Sequence, residues 1–294
     1  MSVAPGQRRW IWRALKWAAA ALFALWLVEI GIAFVQVRNQ TRVLHAGTLA
    51  TTLILGPSDL DGPLTDANFD VTRQGSVMIR LGTRVLEVNR GSHFLTDIHV
   101  KGRLRGFALG TDGTFHTLAS GLGVIGDDGT VPIGQALPHP AYALAPSARP
   151  ASVLLFGGSG GDYRLYRATG DGKFQLLLHG PAAIVAATDS ASTQLAATRT
   201  LLVRVGSRRP QIIFKAPSED WGPILSVAAS DDGLIFFSTP DKVFAWVEGL
   251  GVSIVNNSGG LLRLRGDELF VLDTSRRLLY SLTPASMAMF RKTH

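Results

Sequence analysis

The stretch DELFVLDTSRRLLYSL, residues 267–282, consists of two short apolar runs separated by a polar turn. Its two runs, ELFVLD and RLLYSL, are rich in the residues that favour strands, and the Asp that ends the first run and the Thr and Ser that follow it favour a turn. The stretch DGLIFFSTPDKVFAWVEG, residues 232–249, has the same shape. Each stretch is therefore predicted to form a β-hairpin.

The same pattern continues along most of the chain. From residue 67 onward, short apolar runs alternate with Gly, Asp, Asn, Ser and Pro, and no helical periodicity stands out. The runs group into units of roughly 40 residues, which cover residues 67–103, 104–140, 141–181, 182–223, 224–260 and 261–283. Four strands per unit predict a mainly β fold, namely a β-propeller with six four-stranded blades. A pair of β-sandwiches and a seven-bladed ring are the alternatives.

The last unit, residues 261–283, has only three clear strands. A strand is also predicted near the start of the chain, where TLATTLIL, residues 48–55, is rich in β-branched and apolar residues. This early strand can complete the last blade. Such a pairing joins the first and last parts of the chain, as a closed ring requires.

The two hairpin stretches quoted above resemble blades of NHL and gluconolactonase-like propellers. The resemblance concerns the shape of the repeat and is clearest in about the last 140 residues. It implies a metal-dependent lactonase or lyase as an alternative function, because gluconolactonase-like enzymes hold a divalent cation at the central channel. The candidates for channel or loop positions are Asp231, Asp232, Asn256, Asn257 and Asp273. None of them matches a family ligand position, so no catalytic residue, metal ligand or cofactor is predicted.

An apolar segment of 21 residues, 17–37, lies between Lys16 and Arg38. As a helix it is about 31 Å long, which matches the hydrocarbon thickness of a membrane. The basic residues in front of it set the expected orientation, with a cytoplasmic N-terminus and a periplasmic domain: they are Arg8, Arg9, Arg13 and Lys16. A cleaved signal peptide is the alternative, although the run is long for one and no small-x-small site follows it.

Glu29 is a carboxylate inside this apolar segment. The ten Leu, Ile, Val and Phe residues of the segment favour insertion by about 3–6 kcal/mol, and an acidic residue opposes it by roughly 2.5–3.5 kcal/mol, so a membrane helix remains favoured. Ala33 and Gln36 follow Glu29 at helical spacing. Small and polar residues on one face are typical of packed membrane helices. Glu29, Ala33 and Gln36 are therefore predicted to contact a partner helix.

The net charge of +7 does not indicate nucleic-acid binding. The whole excess comes from residues 1–42 and from Arg291 and Lys292, so residues 43–290 are net neutral. The chain also contains no cysteine, which excludes disulfides, thiolate metal sites and a cysteine nucleophile. We expect no nucleic-acid partner.

Two glycine motifs suggest chemistry that their contexts argue against. GGSGG, residues 157–161, fits G-x-S-x-G, but a strand-like run rather than a helix follows it, so a hairpin loop is predicted instead of a nucleophile elbow. GLGVIG, residues 121–126, fits G-x-G-x-x-G, but a turn follows where the dinucleotide fingerprint requires a helix. Asp97 and His99 share one strand face, and two ligands alone do not make a metal site.

The predicted protein is a single-pass bacterial inner-membrane protein that presents a periplasmic propeller. We expect it to act as a binding or scaffold subunit of an envelope complex, with contacts through its membrane helix and a propeller face. The enzyme and a sensor or carbohydrate-binding domain are the alternatives. The predicted segments are a cytoplasmic N-terminus (1–16), a transmembrane helix (17–37), a connector with the closing strand (38–66), the propeller (67–283) and a basic tail (284–294).

Overall fold

The computed structural model describes residues 43–44, 51–60, 64, 68–82, 84–89, 92–97, 103–119, 121–126, 129–132, 137, 139–206, 209–249 and 251–282. These residues form six antiparallel sheets of four strands in each, and one further strand is added to the fifth sheet. The prediction of a mainly β propeller with six four-stranded blades is confirmed.

The strands are numbered along the chain. Two short strands precede the first complete blade, namely β1 (Val43–Leu44) and β2 (Thr51–Leu55). Blade one comprises β3 (Phe69–Val71), β4 (Val77–Leu81), β5 (Arg84–Asn89) and β6 (Ser92–Asp97). Blade two comprises β7 (Gly106–Leu109), β8 (Phe115–Leu118), β9 (Leu122–Gly126) and β10 (Gly129–Pro132). Blade three comprises β11 (Ala141–Pro146), β12 (Ser152–Ser159), β13 (Asp162–Thr169) and β14 (Phe174–Gly180).

The remaining strands form blades four to six. Blade four comprises β15 (Ala186–Asp189), β16 (Gln194–Ala197), β17 (Leu201–Arg204) and β18 (Gln211–Lys215). Blade five comprises β19 (Ser226–Ala229), β20 (Ile235–Ser238), β21 (Val243–Val247) and β22 (Gly251–Asn256). Blade six includes β23 (Leu261–Arg265), β24 (Glu268–Asp273) and β25 (Leu278–Leu282). A short 3₁₀ turn, Glu219–Trp221, precedes blade five.

Blade six takes its fourth strand from the start of the described chain. Strand β2 pairs antiparallel with β25, from Thr51 opposite Leu282 to Leu55 opposite Leu279. This is the position that the sequence analysis gave to the early strand. The blade therefore joins residues more than two hundred positions apart, and the ring closes through backbone hydrogen bonds rather than side-chain packing alone.

The first strand of each blade lies next to the central channel, and neighbouring blades meet there, β23 against β3 included. Three of these inner strands are rich in small residues, namely AYALAP of β11, AATD of β15 and SVAA of β19. Small side chains are needed because the blades converge toward the axis. The outer strands β14 and β18 are far more exposed, since they form the rim of the ring.

The hydrophobic core is divided among the spaces between neighbouring blades. Between blades four and five, Phe214, Phe237 and Phe244 pack in series, with ring centroids 4.8 and 5.0 Å apart. Trp221 stacks on Phe244, and Trp246 is buried in the same cluster. Both tryptophans therefore pack in the core between blades.

One buried polar group lies under the turn that ends β7. His116 on β8 is 1% exposed, and neither ring nitrogen has a hydrogen-bond partner among the described residues. Burial lowers the pKa of His116 below its ordinary value of 6.5, while the nearby charge of Asp112 opposes this shift. A lowered pKa means that the folded protein favours the neutral imidazole.

Replacing Leu55 by Ala tests the closing strand. Leu55 is 1% exposed and Leu53 is 62% exposed, although both lie on β2. We expect Leu55→Ala to lower the free energy of unfolding by about 2–5 kcal/mol because it leaves a cavity in the core. Leu53→Ala should change it by less than about 0.5 kcal/mol. Denaturant unfolding of both variants checks this, and equal effects would contradict the closure.

Acid should destabilise the fold through His116. The stability contributed by its neutral form is fully present above pH 6.5 and is lost as the pH falls through the lowered folded pKa. The variant His116→Phe should therefore lose less stability than the natural chain between pH 7.5 and pH 5, as measured by unfolding at both pH values. Parallel losses in the natural chain and in His116→Phe would refute this role of His116.

Candidate functional site

The channel opens on two faces of the ring. We call the face at which the inner strands begin the front face, and the face at which they end the back face. A cavity of about 540 Å³ opens on the front face, within the usual range for small-molecule sites. Its charged lining residues are Arg80, Arg103, Arg105 and Arg263, and the described lining contains no carboxylate. We call this cavity the arginine mouth.

Three of the arginines come from the first two blades. Arg80 lies on β4, and its Nη1 donates a 2.7 Å hydrogen bond to the carbonyl oxygen of Leu104. That contact ties blade one to the residues leading into β7. Arg103 and Arg105 lie in this connection, where both are exposed. The amide of Arg105 donates a 2.7 Å hydrogen bond to the carbonyl of Leu118, which fixes the backbone beneath the two side chains.

Arg263 comes from the inner strand of blade six and lies deeper, where it lines both the front and the back cavities. Its side chain is 13% exposed, and its Nε lies 3.6 Å from Oδ1 of Asp70. The guanidinium also lies 5.6 Å from the ring centroid of Phe69. Burial lowers the pKa of Arg263, and Asp70 opposes this shift. An arginine remains charged despite such a shift because its ordinary pKa is far above neutrality.

Asp70 connects this arginine to the joint between blades one and two. Its Oδ2 accepts a 2.8 Å hydrogen bond from the amide of Leu109 on β7, and its Oδ1 accepts one of 2.8 Å from Val71. Nearby, Oδ1 of Asn68 accepts a 2.8 Å hydrogen bond from the amide of Phe107. Two polar side chains of blade one thus bind the inner strand of blade two, and among the described strands no backbone ladder joins these two blades.

Tyr142 forms the apolar side of the arginine mouth. Its hydroxyl donates a 2.6 Å hydrogen bond to the carbonyl of Ile184, which links blades three and four. Its ring meets Phe156 edge-on, with centroids 5.9 Å apart, and the residue stays 39% exposed. Burial raises the pKa of the Tyr142 hydroxyl, so it is neutral near pH 7. The mouth therefore combines positive charge with an aromatic surface.

The back face has a smaller cavity of about 250 Å³. Its carboxylates include Asp189 and Asp231, and both are engaged. Oδ2 of Asp189 lies 2.8 Å from Nη2 of Arg167, with both side chains nearly buried, and it accepts a 2.7 Å hydrogen bond from Ser147. Oδ1 of Asp231 accepts a 2.8 Å hydrogen bond from the amide of Ala191. These groups join blades three, four and five.

The described residues do not offer the ligand set of a divalent cation. No group of three His, Asp or Glu side chains in the described part of the chain is arranged to hold a metal. Of the residues predicted at channel or loop positions, Asn256 and Asp273 lie at turns. Asn256 accepts a hydrogen bond from the amide of Ser258, and Asp273 accepts hydrogen bonds from Ser258 and Ser275. They lie on β22 and β24, outside the inner ring, so they stabilise turns.

The motif GGSGG forms the tip of the β12–β13 hairpin, with Ser159 opposite Asp162. Gly158 has φ 136°, and a Cβ there would lie 2.1 Å from the carbonyl oxygen of Asp162. The glycines thus allow a close hairpin, as the sequence predicted. Asp162 accepts a hydrogen bond from the guanidinium of Arg164, and its Oδ2 lies 3.2 Å from Nε2 of His139. The hydrogen bond from Arg164 holds the pKa of Asp162 at about 2.

The second glycine motif, GLGVIG, lies in and just before β9, and the strand β10 follows it where a dinucleotide site needs a helix. The predicted membrane residues Glu29, Ala33 and Gln36, together with the basic residues at positions 8, 9, 13 and 16, lie outside the described residues. Within the described residues, no helix has the length and hydrophobicity to cross a membrane. His99 also lies outside the described part.

The arginine mouth was not predicted from the sequence. Its four arginines lie at positions 80, 103, 105 and 263, and only the ring brings them together. The local signal was the Arg-x-Arg pair in GRLRGF, residues 102–107, which leads into β7. The pair alone does not reveal that Arg80 and Arg263 lie beside it.

The geometry defines a six-bladed propeller with a positively charged pocket at one end of its channel. No protein-family model and no curated protein matches the sequence. Solved structures share the fold at 12% identity. The calcium-binding protein regucalcin from Agrobacterium tumefaciens aligns over 82% of this chain and 95% of its own, with a TM-score of 0.58.

Two further structures align similarly. A putative gluconolactonase covers 81% of this chain and 93% of its own, with a TM-score of 0.57. Virginiamycin B lyase from Staphylococcus aureus covers 80% and 99%, with a TM-score of 0.56. The chain therefore has the blade architecture of the gluconolactonase-like propellers, as its repeat shape indicated. At this identity the likeness establishes the fold alone.

Asp70 should be essential to the geometry of the mouth. Replacing it by Ala leaves two buried amides and Arg263 without their carboxylate. We expect Asp70→Ala to lower the free energy of unfolding by about 3–5 kcal/mol, as for other broken buried pairs. Asp241→Ala, at an exposed front-face position, should have an effect below about 0.5 kcal/mol. Chemical unfolding would measure both, and a mild effect of Asp70→Ala would argue against the joint.

Proposed function

We propose that the arginine mouth binds a small molecule that carries a carboxylate or phosphate group. The observation that carries this proposal is the set of four arginines around one cavity without a carboxylate in its described lining. Guanidinium groups bind such anions through paired, charge-assisted hydrogen bonds. The partly exposed ring of Tyr142 adds an apolar surface for the rest of the ligand.

We further propose that the chain transforms this ligand as an enzyme of the lactonase-like or lyase-like class. The similar structures include a lyase and a putative gluconolactonase, and this supports the enzyme better than the scaffold. Lactone hydrolysis and elimination beside a carbonyl both develop negative charge on an oxygen. Arg263, held in a largely buried position, is suited to stabilise such a charge. The side chains of the described residues do not form a donor set for a resident divalent cation, so the proposal includes none.

The sequence of residues 17–37 adds a location to this proposal. We propose a single membrane helix that anchors the propeller on the periplasmic side of a bacterial inner membrane. Glu29, Ala33 and Gln36 are the residues proposed to contact a partner helix of an envelope protein. This part is supported by hydropathy, flanking charge and helical spacing.

Ligand binding should depend on the arginines of the mouth. We expect the double variant Arg103→Gln/Arg105→Gln to bind anions such as citrate or inorganic phosphate at least about 100-fold more weakly, because two charged hydrogen bonds of about 1.5–3 kcal/mol each are lost. Isothermal titration calorimetry checks this, with glucose as the neutral comparison.

Arg199→Gln is the matched control, because Arg199 is an exposed arginine in the turn between β16 and β17 on the same face but outside the cavity. This variant should bind anions as the natural chain does. Equal weakening by the control, or equal binding of glucose, would reject the arginine mouth as the site.

A further inference from the structure

The path of the described chain shows at which face it joins the ring. Each inner strand runs from the front face to the back face, and successive antiparallel strands alternate in direction. The outer strand β22 therefore runs from back to front. Strand β1 pairs with it in parallel, with Val43 opposite Val252 and Leu44 opposite Ser253. Val43 thus lies near the back end of β22, one residue beyond its start at Gly251.

The closing strand gives the same answer independently. Strand β25 runs from front to back, and Thr51 at the start of β2 pairs with Leu282 at the back end of β25. Both strands that precede residue 56 therefore begin on the back side of the ring. They lie in neighbouring blades, β1 on blade five and β2 on blade six.

The link between the predicted membrane segment and the ring is short. The segment ends at residue 37 and β1 begins at Val43, so five residues connect them. Five residues extend at most about 18 Å. If the membrane lay on the front side, the link would have to pass along about 13 Å of β22 toward the back side and then reverse its direction to enter β1. If the membrane lies on the back side, the link can enter β1 directly.

We infer that the back face lies toward the membrane and that the arginine mouth opens away from it, into the aqueous phase. The inference rests on the predicted anchor and extends the proposed function, because it assigns the ligand to a water-soluble source rather than to the bilayer. The back-face turns carry both signs of charge, with Asp231 and Glu248 as well as Arg149 and Arg209 exposed there, so the inference rests on the covalent link and not on attraction to anionic lipids.

The absence of cysteine makes a direct test possible, because a single introduced thiol can be labelled selectively. Ser159 at the tip of the β12–β13 hairpin is exposed on the front face, and Ser192 in the turn after β15 is exposed on the back face. The substitutions Ser159→Cys and Ser192→Cys are nearly isosteric and form a matched pair.

The full chain with each label is placed in lipid nanodiscs whose headgroups carry a nitroxide quencher. We expect quenching of the label at position 192 to be at least about twofold stronger than at position 159, because quenching falls steeply with distance. Equal quenching, or stronger quenching at position 159, would overturn the orientation. If the protein failed to float with vesicles, the predicted anchor would be wrong and the inferred orientation with it. The calorimetric test of the arginine mouth is unaffected by either result.

Discussion

The backbone pairing of β2 with β25 is the constraint on which the ring depends. Propeller blades contact their neighbours mainly through side chains, so an open ring has two free blade faces and no ladder to join them. Here blade six contains strands from both ends of the described propeller, and its hydrogen bonds fix blade one beside it. Leu55 and Leu60 then become buried in the same cluster as Phe69 and Leu272. The closing strand therefore contributes directly to the core between blades six and one.

The closed ring also places the charges that define the candidate site. Small residues on the inner strands let the blades approach the axis, and polar groups such as Asn68 and Asp70 bind the next inner strand where a backbone ladder is missing. Asp70 additionally holds Arg263 in the channel. The same carboxylate therefore stabilises a blade joint and positions a cation, which leaves the mouth with net positive charge. An anion that enters meets this charge in a partly desolvated pocket, where electrostatic attraction is stronger than in bulk water.

The sequence allowed most of the fold to be predicted and little of the site. Hairpin stretches such as residues 267–282 are local, and they appear as β24 and β25. The early strand could be predicted because the last unit lacked a partner. The site could not, since its arginines are brought together only by the arrangement of the blades. Asn256 and Asp273 were candidates for channel or loop positions, and the structure places them at turns, because β22 and β24 lie outside the inner ring.

The central claim is that the arginine mouth is an anion site. Crystals of the protein grown with selenate test it directly, because selenium gives an anomalous signal that locates the anion without reference to any ligand chosen in advance. The account predicts an anomalous peak in the cavity within hydrogen-bonding distance of at least two guanidinium groups among Arg80, Arg103, Arg105 and Arg263. Anomalous peaks on other surfaces of the protein, with none in the cavity at the selenate concentration used to grow the crystals, would contradict the assignment of the arginine mouth as an anion site.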